Sequence, residues 1–183
     1  GFFDAPVELG SGAGYNTGPG GSGGGAIRLD VTGTLTLDGM VTANGEDGVT
    51  YSSSYHTGGG SGGSIYLTAD TLTGSGWLSA NGGNGIGDVG TGWSGGGGGG
   101  RIAVYCNTTS FTGEITATGG TGNDLGGNGS ICVVDDTTND LNVTSDTTFD
   151  SNQTGWNDIR VDGGATLTIA ADQTALNTVT VDN

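Results

Sequence analysis

Gly63-Ser64-Ile65-Tyr66-Leu67 and Gly100-Arg101-Ile102-Ala103-Val104 decide how this chain folds, because each follows a glycine cluster and sets Ile and Leu or Val at alternate positions. Alternation of period two is the mark of a β-strand with one apolar face. The same string returns at Gly25-Ala26-Ile27-Arg28-Leu29 and at Gly129-Ser130-Ile131-Cys132-Val133. The four isoleucines are 38, 37 and 29 residues apart, a period that is regular and then shortens. Self-similarity at a fixed long period signals a repeat architecture in which each unit buries its apolar face against the next.

Outward from these strings, each repeat carries two more apolar patches. The second is Leu35 and Leu37, then Leu72, then Phe111. The third is Val41-Thr42-Ala43-Asn44-Gly45, Leu78-Ser79-Ala80-Asn81-Gly82 and Ile115-Thr116-Ala117-Thr118-Gly119. Three short strands per repeat are expected, and no window has the 3.6-residue periodicity of a helix. The predicted fold is all-β: a single-stranded parallel β-helix, or β-solenoid, with glycine-rich loops stacked at one corner. A sandwich also has many short strands, but its hairpins do not require the same residue types to return at one long period. Residues 1–135 are read as long glycine-rich coils and residues 136–183 as lean coils continuous with them. In the second part Leu141-Asn142-Val143, Ile159-Arg160-Val161 and Val179-Thr180-Val181 align at steps of 18 and 20.

The glycine tracts, Gly10 to Gly25, Gly45 to Gly63, Gly82 to Gly100 and Gly119 to Gly129, leave each repeat after its third strand. Two readings compete. They are mobile loops, or they form an ordered layer held by backbone hydrogen bonds and Cα–H···O contacts and pinned by Tyr15, Tyr51, Tyr55 and Trp93.

Charge narrows the functional classes. Nineteen acidic residues face only Arg28, Arg101 and Arg160, the chain has no lysine, and the formal net charge is −16. Such a field repels phosphate backbones and anionic membranes, so no nucleic-acid partner is expected. No apolar run approaches the roughly 20 residues of a membrane span, so no membrane insertion is expected either. Three arginines also offer trypsin-like proteases few cleavage sites, which suits an extracellular or cell-surface location.

The chemistry-bearing side chains point away from an enzyme. Gly-x-Gly-x-x-Gly strings arise by chance in so glycine-rich a chain and no helix follows them. His56, the single histidine, sits among Tyr, Ser, Thr and Gly as a loop residue. Asp135 and Asp136 are adjacent and point to opposite faces of a strand, so they form no facing carboxylate pair. Calcium is the one cofactor with a sequence cue: Gly82-Gly83-Asn84-Gly85-Ile86-Gly87-Asp88-Val89 is similar to the nonapeptide repeats of calcium-binding β-rolls. Asp88, Asp124, Asp135 and Asp136 are the candidate ligands, with solvated turn acids as the alternative. Cys106 shares the inward phase of Ile102 and Val104, whereas Cys132 falls over Ala103 on the other face, so no disulfide is expected. Asn107, Asn128, Asn142 and Asn152 open Asn-x-Ser/Thr strings, acceptors for glycosylation in a host that performs it.

The strings at residues 58–67, 78–85 and 97–105 are similar to the glycine-rich repeats of large prokaryotic surface proteins, and Gly163-Gly164-Ala165-Thr166-Leu167-Thr168-Ile169 resembles the lean repeats of autotransporter and filamentous-haemagglutinin passengers. The resemblance implies a parallel β-helix at the cell surface that serves as stalk, adhesin or fibre, and it carries no catalytic residues. Open strand edges at both ends suggest the first functional expectation: a fibre subunit whose partners are copies of itself, joined head to tail through Phe2, Phe3, Val7 and Leu9 at one end and Val179 and Val181 at the other. The second is an adhesin binding cell-surface glycans through aromatic side chains, Tyr55 and Trp93 first, with Trp77 and Trp156 beside them. A carbohydrate-active enzyme comes last.

Overall fold

The computed structural model describes residues 5–14, 18–52, 55–86 and 94–135, together with the strand segments 140–143, 147–149, 158–161, 167–169 and 178–181. These contain fifteen strands and no helix, hence none long and apolar enough to cross a membrane. In chain order they are β1 (Ala26–Asp30), β2 (Thr34–Thr36), β3 (Met40–Thr42), β4 (Thr50–Ser52), β5 (Tyr55–His56), β6 (Ser64–Gly74), β7 (Trp77–Ser79), β8 (Arg101–Phe111), β9 (Glu114–Thr116), β10 (Ser130–Asp135), β11 (Asp140–Val143), β12 (Thr147–Phe149), β13 (Asp158–Val161), β14 (Leu167–Ile169) and β15 (Thr178–Val181).

The repeat sets the register. Ile27 lies beside Ile65, Ile65 beside Ile102 and Ile102 beside Ile131 in the parallel ladder β1-β6-β8-β10. Val41, Leu78 and Ile115 align likewise in the three-stranded sheet β3-β7-β9, and Leu141, Ile159 and Val179 across β11, β13 and β15. Ile65, Leu67, Leu78, Ile102 and Val104 are completely buried and share one apolar cluster with Leu72 and the small side chains Ala80 and Ala117. Parallel ladders covered on both faces read as near-continuous apolar runs, and the second face explains Ala103 and Cys132, which are buried outside that cluster. Cys106 and Cys132 are accordingly separate buried thiols of opposite phase.

The expected single-stranded β-helix is corrected by this arrangement. Among the described residues most strands are short, and they sit in separate sheets, one of eight strands, one of three and two of two. A single-stranded coil carries every strand in the same sense, yet β10 runs antiparallel to β11, with Val134 opposite Leu141. The glycine tracts between β3 and β6, and between β7 and β8, are not corner loops of a coil either.

Hydrogen bonds between the tracts recur every third residue. Gly60 N and Gly63 N donate to Glu46 O and Ala43 O at 2.9 and 2.7 Å; one repeat on, Gly97 N and Gly100 N donate to Gly83 O and Ala80 O at 2.8 and 2.7 Å. Parallel neighbours obey the same step: Gly59 N and Gly62 N donate to Gly95 O and Gly98 O, and Gly96 N and Gly99 N to Asp124 O and Gly127 O. A three-residue repeat of bonds is the signature of extended threefold helices of the polyproline II type, here bonded to one another and not internally. Successive N–H groups of one tract therefore point in three directions and bind three different neighbours. The packing is so close that a Cβ on Gly45, Gly82 or Gly119 would fall 2.0 Å from a carbonyl oxygen of the antiparallel tract. Gly74, where β6 ends, differs: its φ of 109° demands glycine on backbone grounds.

Side chains complete the bundle on its outer face. Asn44 Oδ1 accepts from Asn81 N at 2.7 Å and Asn81 Oδ1 from Thr118 N at 2.9 Å. Three residues further on, Asp47 Oδ1 accepts from Asn84 N at 2.6 Å and Asn84 Oδ1 from Thr121 N at 2.8 Å. Every third residue of these tracts has no tract beside it, and an Asx side chain from the preceding repeat replaces the missing carbonyl.

Candidate functional site

An open groove of about 480 Å³ crosses the entry to the three-stranded sheet. Its floor is a ladder of three residues in register, Met40 beside Trp77 and Trp77 beside Glu114. The turns Asp38-Gly39, Ser75-Gly76 and Thr112-Gly113 form its wall. The strand alternation forces this outcome: Val41, Leu78 and Ile115 point into the core, so the residue before each must point outward. Trp77 is 41% exposed and Met40 69% exposed, which leaves an apolar shelf between Asp38 and Glu114. Asp38 is oriented by Ser75 N, which donates to its Oδ1 at 3.2 Å. A rigid indole face bordered by carboxylates and hydroxyls suits a ring with one apolar face and a polar edge.

A second feature is the exposed side of the first repeat. Among the described strands β1 and β2 pair only with β6, and β3 only with β7. Ile27, Leu29, Leu35 and Val41 are half-buried, while their register partners Ile65, Leu67, Leu72 and Leu78 are 0–1% exposed. On the other face of β1, Arg28 holds Asp30 at 2.8 Å and lies 4.9 Å from the centre of the Tyr66 ring, which packs on Tyr105 at 5.8 Å. Its hydrogen bond to Arg28, joined by one from Thr68, holds the Asp30 carboxyl below the usual carboxylate range, and the same pair raises the Arg28 pKa.

The residues expected from sequence fall in different places. Val7 and Leu9 are exposed at 61% and 73%, whereas Pro6 between them and the chain start is buried. Val179 and Val181 lie in β15, paired to β13. Tyr55 is in β5, antiparallel to β4, and its side chain is outside the described residues, as are Phe2, Phe3, Asp88, Trp93, Asp136 and Trp156. Asp135 ends β10 opposite Asp140. Asp124 is exposed and bridges to Gly95 through its backbone. Among the described residues no three His, Cys, Asp or Glu side chains converge on one point, and Asn84, central to the calcium-like string, spends its Oδ1 on Thr121. Met40, Glu114 and Asp38 were missed by sequence reasoning; the 37-residue period applied one position before each third strand finds the Met40-Trp77-Glu114 ladder.

Comparison with protein-family models, curated proteins and solved structures gives no match.

Proposed function

We propose that this chain is a structural module of an extracellular filament, extended when copies add strands to its exposed sheet edge. The observation that carries the reading is the contrast along the ladders: the side chains buried between repeats at Ile65, Leu67, Leu72 and Leu78 are left half-covered at Ile27, Leu29, Leu35 and Val41. Edge strands with apolar side chains are templates for strand addition, and main-chain bonds supply much of the affinity. The absence of lysine and the charge of −16 support an exposed, protease-resistant setting. The test is electron microscopy and sedimentation of the purified chain beside Ile27→Lys. Filaments that form with wild type and not with the variant support the proposal. Monomers at high concentration, or filaments indifferent to Ile27→Lys, refute it.

The groove favours a second reading, a glycan-binding surface module. Trp77 offers the stacking face, and Asp38 and Glu114 offer acceptors for sugar hydroxyls. Selective glycan-array binding abolished by Trp77→Ala supports it; binding unaffected by that change removes the groove from consideration.

A further inference from the structure

The segment Gly10–Ala13 shows how this chain binds an additional threefold strand. It lies across two neighbouring tracts: Gly10 N and Ala13 N donate to Gly24 O and Gly21 O at 2.8 and 2.9 Å, and Ser11 O accepts from Ser61 N at 2.9 Å. Just upstream, Ser64 Oγ donates to Glu8 O at 2.7 Å. The seat requires glycine beneath it, since a Cβ on Gly23 would fall 1.9 Å from Gly10 O.

Two repeats further along the ladders the same seat is present, and no described residue covers it. The in-register equivalents of Gly21 and Gly24 are Gly96 and Gly99, of Gly23 is Gly98, of Ser61 is Gly127 and of Ser64 is Ser130. The match extends to chemistry. Gly96 O and Gly99 O accept no backbone hydrogen bond among the described residues, and Gly98 N and Gly127 N donate none. A Cβ on Gly98 would find only Gly127 O at 3.8 Å, and one on Gly127 nothing within 4 Å, so no described residue lies over them. A cavity of about 220 Å³ lined by Gly99, Arg101, Asn128 and Ser130 continues the seat at the position that Glu8 occupies in the first. The intervening seat is closed by its own sequence, because Ser61 stands where glycine is needed.

From this equivalence we infer that the face formed by Gly96, Gly98, Gly99 and Gly127 docks an extended glycine-rich segment of a different partner protein, in threefold conformation and with an acidic residue upstream. The docked segment donates every third N–H to Gly96 O and Gly99 O and accepts from Gly127 N. Its close approach selects glycine at the residue facing Gly98, as Gly10 faces Gly23. Arg101, at the cavity where the first seat has Ala26, supplies the charge that favours an acidic residue there. This surface is distinct from the strand edge that carries the filament proposal, so the two stand or fall separately.

The probe is a blocked synthetic peptide of the sequence Ala5–Gly14, titrated into the ¹⁵N-labelled full chain. Amide shifts and slowed exchange localised to Gly98, Gly127 and Ser130 are expected. Gly98→Ala adds a methyl group with room in the unliganded protein, so it should leave the rest of the spectrum unchanged and weaken binding at least about tenfold. Gly127→Ser, which restores the hydroxyl that Ser61 presents in the occupied seat, should retain binding. Silence of these amides at millimolar peptide overturns the inference, as does equal binding to Gly98→Ala. Self-association of the chain through this face that excludes the peptide also overturns it, by making a second copy the occupant.

Discussion

Replacing Gly97 by alanine is expected to destabilise the protein, whereas the same change at its neighbour Gly98 is expected to stabilise it. A Cβ at Gly97 would lie 2.0 Å from Gly60 O, and both sides of that contact are backbone. Restoring an ordinary contact of at least 3.4 Å requires the two tracts to separate. That movement strains the bonds Gly59 N to Gly95 O, Gly62 N to Gly98 O and Gly83 N to Gly60 O, now 3.1, 2.8 and 2.8 Å. At a net worth of about 0.5–1.5 kcal/mol each, three weakened bonds cost about 3 kcal/mol. The reduced entropy of the unfolded chain returns about 0.4–1 kcal/mol, leaving a loss of about 2–3 kcal/mol. For a chain of this length that lowers Tm by about 4–12 °C. Gly98→Ala meets no such contact and keeps only the unfolded-state gain of about 0.4–1 kcal/mol. Thermal and urea unfolding of the two variants beside wild type provide the assay. Equal effects, or destabilisation by Gly98→Ala alone, would show that the threefold packing does not govern this region.

Three further expectations follow from other contacts. Asn81→Ala removes the acceptor of Thr118 N and should cost about 1 kcal/mol by urea unfolding, while Asn81→Asp, which repeats the arrangement at Asp47, should stay within about 0.5 kcal/mol of wild type. Ile102→Ala, at 0% exposure between Ile65 and Ile131, should cost about 2–5 kcal/mol, and Ile27→Ala on the half-covered edge markedly less; parity between them would contradict the ladder contrast. The Asp30 carboxyl has a pKa lowered on folding, so its ion pair contributes stability above the ordinary carboxylate pKa and loses it as the pH falls through the lowered value. Asp30→Asn should therefore lower Tm at neutral pH, with the difference from wild type shrinking under strong acidification; a gap independent of pH would assign the effect elsewhere.

The register of the ladders was legible in the sequence because inward residues repeat as types: Ile27, Ile65, Ile102 and Ile131, then Leu141, Ile159 and Val179, are the residues that pair. Strand phase also foretold the opposite orientations of Cys106 and Cys132. The β-helix was inferred wrongly, since apolar spacing reports which strands are neighbours but not whether the intervening chain closes a coil or whether a pair such as β10 and β11 reverses direction. The threefold tracts were hidden by their own composition, because a run of glycines fits any period. Their signal lies in what interrupts the glycines: Asn44 and Asp47, Asn81 and Asn84, Thr118 and Thr121 are each three apart. The string around Asn84 drew a calcium reading with Asp88 as ligand, because oxygen-bearing side chains among glycines serve an ion and a backbone amide equally well, and Asn84 serves the amide of Thr121. The groove was only partly visible, since Trp77 stands out by type whereas Met40 and Glu114 gain meaning from the strands beside it.

The Asx ladder also bears on chemical ageing. Asn44-Gly45, Asn81-Gly82 and Asn84-Gly85 belong to the dipeptide class most prone to deamidation, in which the glycine amide nitrogen attacks the asparagine side chain to close a succinimide ring, and asparagine is a recognised weak point in long-lived or hot environments. In the bundle each of those nitrogens is occupied: Gly45 N donates to Asn81 O, Gly82 N to Thr118 O and Gly85 N to Thr121 O at 2.7–2.8 Å. The carbonyl under attack is held as well, as the Oδ1 of Asn44, Asn81 and Asn84 each accepts a backbone N–H from the next repeat. Ring closure demands that both leave their partners and rotate toward each other, so the lattice that fixes the shape of the glycine tracts also slows their molecular clock.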